Sequence, residues 1–112
     1  MAINSRTKGK VGELEFAAVL KEAGFEARRG QQHRGGYDTP DVICEALADI
    51  HWEVKRRESG NLYGWLAQAI EDAHGKMPIV AHRRNKQEWV AILPMSVMLE
   101  LLKGRRHAIK RP

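Results

Sequence analysis

Between residues 8 and 24, Phe16, Val19, Leu20 and Ala23 recur at the spacing of one helix face and Gly24 ends the run, which predicts an amphipathic helix. Residues 25–29 form a short candidate strand, and the glycines and polar residues of 30–38 predict a loop after it. Two strand-like runs follow, Pro40-Asp41-Val42-Ile43-Cys44-Glu45 and Ile50-His51-Trp52-Glu53-Val54-Lys55, most simply paired as an antiparallel hairpin around Ala48-Asp49. Leu62, Trp65, Leu66, Ala69, Ile70 and Ala73 repeat the helical period and close near Gly75, with Pro78 beyond. Residues 78–82 and 88–93 read as two more strands across a charged turn, and residues 94–102 as a final short helix. The order helix, three strands, helix, two strands, helix predicts a single α/β domain with a mixed central sheet flanked by helices. In the last helix Met95, Met98, Leu99 and Leu102 form one apolar stripe, while Val97 and Leu101 lie opposite. One domain surface cannot bury both, so a homodimer is expected.

Size and charge narrow this picture. At 112 residues the chain suits one core, here residues 1–102, with residues 103–112 as a basic tail. Lys103, Arg105, Arg106, Lys110 and Arg111 carry the whole formal excess of +5, and residues 103–112 contain no acid. A neutral body with a basic end is an electrostatic footprint for nucleic acid. Cys44 is the single cysteine and lies in an apolar run, so it reads as a buried reduced thiol. No apolar stretch nears the roughly 20 residues of a membrane span, and the polar, basic start lacks a signal-type segment. A soluble, cytoplasmic protein is the expectation. Trp52, Trp65 and Trp89 occupy strand or helix positions that suit packing more than base stacking.

Candidate chemistry centres on acids. Asp41 begins one strand, and Glu53 and Lys55 lie two apart on the next, so both of the latter project from one sheet face. A hairpin centred near Ala48 sets Asp41 opposite Lys55, with Glu53 one step along the same face, at separations that suit a metal ion. Glu13 shares its helical stripe with Phe16, Ala17 and Leu20, which turns a carboxylate toward the core, where it needs a cation, a donor or metal-bound water. If helix and hairpin acids share one side of the sheet, all three surround one ion. Oxygen ligands with room for water suit Mg²⁺, with Mn²⁺ as a substitute, and the absence of clustered Cys and His disfavours zinc. A lone Glu-x-Lys pair is commonly just a solvated charge pair; the combination carries the inference. Such a set fits phosphodiester hydrolysis without a covalent nucleophile.

Three short motifs, Gly9-Lys10-Val11-Gly12-Glu13, Thr39-Pro40-Asp41 and Glu53-Val54-Lys55, resemble those of archaeal-type Holliday junction resolvases of the PD-(D/E)XK nuclease superfamily, over roughly residues 8–75. The resemblance implies a restriction-endonuclease-like fold and a homodimeric, Mg²⁺-dependent DNA endonuclease that resolves four-way junctions in recombination and repair. It implies Asp41, Glu53 and the Val54 carbonyl as metal ligands, Glu13 as an acidic partner through metal or water, and Lys55 as the catalytic amine. Gln68 falls near a helix glutamine of related nucleases, but it lies off the apolar stripe and is left out of the catalytic set. For phosphate contacts the candidates are Arg28, Arg29, His33 and Arg34 around the loop, Arg56 and Arg57 after Lys55, and Arg105 and Arg106 in the tail. Branched DNA is the expected partner. A PD-(D/E)XK nuclease with another DNA substrate, or a non-catalytic nucleic-acid-binding module, is the alternative.

Overall fold

The computed structural model describes residues 5–30 and 39–110, so His33 and Arg34 lie outside the described residues. Helix α1, Ser5–Glu22, buries Phe16, Ala17 and Leu20. It ends where Gly24 takes φ +103°. There the Gly24 N–H reaches the Lys21 carbonyl and the Phe25 N–H the Leu20 carbonyl, each at 2.9 Å, satisfying the last turn. Strands β1 (Arg28–Arg29), β2 (Val42–Ile43), β3 (Ile50–Arg56), β4 (Met77–Arg83) and β5 (Val90–Ile92) make one sheet in sequence order. Only β3 and β4 are parallel, joined by helix α2, Leu62–Ala73, as a parallel pair requires. Asn61 caps α2 by accepting from the Gly64 N–H at 3.0 Å. Helix α3 spans Met95–Lys110. The mixed sheet with flanking helices is as the periodicity predicts.

The strand period divides the structure into two layers. Ile50, Trp52 and Val54 of β3, with Ile79 and Ala81 of β4, meet α1 and α3 through Phe16, Leu20 and Val97; Phe16 contacts the Trp52 and Trp89 rings at 5.1 and 5.2 Å. On the other face Val80 meets Trp65 and Ala69 of α2. The three tryptophans are packing residues, and Cys44 is buried and free. No helix among the described residues is long and apolar enough to cross a membrane.

Two expectations change. Helix α3 runs on to Lys110 rather than ending at Leu102. Residues 103–110 hold no proline, Lys and Arg are good helix formers, and cations favour a helix C-terminus. The β2–β3 register also differs: a 3₁₀ turn, Glu45–Leu47, takes the last residue of the expected strand, and Val42 pairs with Trp52. Asp41 therefore sits beside the Trp52–Glu53 peptide, with its N–H 2.9 Å from the Trp52 carbonyl, and not opposite Lys55.

Gly12 lets α1 lie directly on β3, because a Cβ there would come 2.6 Å from the Arg56 Cβ. Gly12→Ala is therefore expected to force the helix outward and to cost about 1–3 kcal/mol in denaturant unfolding. Unchanged stability would show that the contact yields freely.

Candidate active site

His51, Glu53 and Lys55 project from the α2 face of β3, alternating with the core residues Trp52 and Val54. Glu53 is only 8% exposed, and His51 2%. The His51 Nε2 lies 2.9 Å from the Glu53 Oε1. Asp41 reaches the same place from β2, its Oδ2 accepting the Val54 N–H at 2.8 Å. A strand residue's N–H and C=O point the same way, so the Val54 carbonyl also faces the β2 side, where Asp41 stands. Asp41, Glu53 and Val54 border an open cavity of about 580 Å³, which Glu13, Lys55, Arg57 and, from α2, Gln68 and Asp72 also line, with His51 buried behind Glu53.

Glu13 arrives differently from the expectation. Helix α1 packs on the face opposite to Glu53 and Lys55, and Glu13 enters at the cavity's margin, bound to the Arg29 Nε at 2.6 Å. The three acids share a cavity, not one side of the sheet.

The pair Asp41 and Glu53 is electrostatically tense. Burial, followed by the negative charge of Glu53, pushes the Asp41 carboxyl up to about 8 in spite of the Val54 N–H. Burial also opposes ionisation of Glu53, but hydrogen bonds with His51 and Asp41 and the charges of His51 and Lys55 outweigh it and hold that group below its usual range. Burial raises Glu13 against the pull of Arg29, and raises Asp72, to which Glu53 adds repulsion. Two adjoining carboxylates that retain a proton near neutrality form a place where a cation can take the proton's role. Among the described residues no three His, Cys, Asp or Glu side chains close into a cage. Two carboxylates, a carbonyl and water fit Mg²⁺, which usually keeps several waters.

No family model matches the chain, and no curated protein does. Among solved structures, Hjc of Archaeoglobus fulgidus, a Holliday junction resolvase from an archaeal hyperthermophile, is similar. It is 22% identical, with 82% of this chain and 75% of that one covered and a TM-score of 0.58. At that identity the likeness is one of fold. The chain has the restriction-endonuclease-like α/β fold.

The basic candidates separate by partner. Arg28 bonds Glu45 at 3.1 Å on the surface. Arg56 bridges to Glu15 at 3.0 Å and Glu58 at 3.7 Å, and Arg83 also reaches Glu15, at 3.6 Å, so these guanidiniums tie α1 to the sheet. Arg57 is exposed at the cavity rim. Arg105 and Arg106 belong to the backbone of α3, and their side chains lie outside the description.

Asp72 and His51 are polar residues of the site that the sequence reading does not include, and Gln68 is one that it sets aside. Gln68 is exposed, as expected, yet it lines the cavity, and Asp72 lies one helical turn further on the same face of α2. Their four-residue spacing was the available signal; the apolar stripe concealed it because the cavity occupies the polar flank of α2. His51 had a plainer signal, its position two residues before Glu53 on one strand face.

Proposed function

We propose that the chain is a Mg²⁺-dependent, structure-selective DNA endonuclease that resolves four-way junctions by paired symmetric nicks, acting as a homodimer. The observation that carries this is the Asp41–Glu53 pair, buried at Glu53 and partly so at Asp41, each carboxylate with one oxygen on a fixed donor, with Lys55 on the Glu53 face of β3 in an open cleft. The shared fold with a Holliday junction resolvase supports the substrate class.

Asp41, Glu53 and the Val54 carbonyl would hold the metal, and Glu13 would act on it through water. The chemistry a divalent ion supplies in such a setting is polarisation of the phosphoryl group and acidification of bound water. Lys55 places an ammonium on the cleft wall to offset the negative charge that grows on the phosphate during attack. Arg57 meets a flanking phosphate at the rim, and Arg29 is positioned to move from Glu13 to DNA. Arg28, His33, Arg34, Arg56, Arg105 and Arg106 remain candidates for phosphate contact, with Arg28 and Arg56 having to leave an acid to make one.

Pairing of two copies is proposed along α3. Val97 is buried and Leu101 packs on the core, while Met95 is 70% and Leu99 50% exposed, with Met98 and Leu102 beside them. A two-fold pair would present two clefts to two strands of like polarity, and arm angles read through phosphates need little base contact.

Cleavage of matched four-way, flap, linear duplex and single-stranded DNA in Mg²⁺ tests the proposal. The junction is expected to be cut about tenfold faster or more, roughly 1.4 kcal/mol in transition-state binding, with symmetric nicks. Equal rates on junction and linear duplex would remove the resolvase reading and leave a nuclease; no metal-dependent cutting of any substrate would remove both.

A further inference from the structure

We infer that His51 is a positioning residue of the site, a buried donor that fixes the Glu53 carboxylate in the orientation needed to receive a divalent cation. This rests on the proposed function and deepens it.

The side chains of the two acids differ in freedom. Asp41 is short and is held by a backbone donor, the Val54 N–H at 2.8 Å. Glu53 has one more rotatable bond, and the donor that meets it is a side chain, the His51 Nε2, at 2.9 Å. With Glu53 ionised, that nitrogen must carry the proton and donate it. Asp41, just before β2, and Asp72, on α2, line the same cavity as Glu53. Without His51 the longer carboxylate has acids on two sides toward which to rotate, and it loses a donor that stays in place when a cation displaces the proton those acids share.

The cost of keeping a histidine here supports a specific use. His51 is 2% exposed and is among the largest fully buried side chains. A buried imidazole is expensive unless its polar atoms are bonded, and an apolar residue of similar size would fill the space at less cost. Outer partners that orient ligating groups characteristically set metal affinity.

Calorimetric titration of the metal-free full-length chain with Mn²⁺ tests this without activity as the readout. In His51→Leu, which removes the donor, affinity is expected to fall about 10–100-fold. His51→Gln, whose amide nitrogen can stand close to the position of Nε2, is expected to recover most of that loss, with junction binding in metal-free buffer unchanged in both. Should His51→Leu not fold, His51→Asn replaces it, since its shorter amide falls short of Glu53. A folded His51→Leu or His51→Asn that binds Mn²⁺ as the wild type does would overturn the inference, as would a His51→Gln no better than these. Asp41→Asn is titrated in parallel. If wild type and Asp41→Asn bind Mn²⁺ alike, the metal site itself fails and takes the inference with it; if only the His51 variants match wild type, the inference alone fails.

Discussion

Asp41→Asn is expected to lower Mg²⁺-dependent cleavage by about 10³-fold or more, equivalent to ~4 kcal/mol of transition-state stabilisation, while making the metal-free protein more stable above neutral pH. Both effects have one cause. Asp41 stands in a largely buried position beside Glu53, and its carboxyl is pushed up to about 8 from an ordinary 3.8. Between those values the native state keeps a proton that the unfolded chain has released. Stability is then fully present below about pH 3.8 and falls as pH rises, with the loss complete above about 8. An asparagine keeps an oxygen for the Val54 N–H and does not titrate, so it removes this slope together with one metal ligand. Thermal melts in chelator at about pH 5 and about pH 8 should show a smaller difference for the variant, and Mg²⁺ should stabilise wild type more than Asp41→Asn. Wild-type turnover by the variant, or an unaltered dependence on pH, would remove Asp41 from the proposed site.

Element order was legible because the periods of 3.6 and 2 are both clean here: the apolar spacing of α2 and the alternation of Trp52 and Val54 with Glu53 and Lys55 appear in the structure as two layers. Register was harder. Residues Glu45–Leu47 carry nothing that separates a strand end from a 3₁₀ turn, and those residues decide whether Asp41 faces Lys55 or the Trp52–Glu53 peptide. The acids themselves were visible as motifs. Their partners were not, since Arg29 meeting Glu13, and Asp72 approaching Glu53, depend on contacts between distant elements. The same limit applies to Arg56, a phosphate-contact candidate in sequence, whose pairing with Glu15 of α1 no local pattern announces.

Lys55→Ala is expected to lower the rate of junction cleavage by about 10²–10³-fold with junction affinity nearly unchanged. Lys55 sits two residues beyond Glu53 on the same face, within a strand held on its β4 side by the pairing of Lys55 with His82, so its backbone position does not depend on its own side chain. Its positive charge already acts on Glu53, contributing to the low pKa of that carboxyl. An ammonium so close to the carboxylates also repels any cation that binds them. Truncating it should therefore leave metal affinity equal or slightly tighter, the opposite sign to Asp41→Asn, even as catalysis falls. Single-turnover cleavage, junction binding in chelator and Mn²⁺ titration on one preparation separate these effects. Lys55→Arg should recover little, because a planar guanidinium on a longer stem cannot reproduce a compact charge placed against one phosphate oxygen. If Lys55→Ala loses metal affinity in proportion to its rate, the lysine serves to hold Glu53 in its ionised form, and its assignment to the transition state fails.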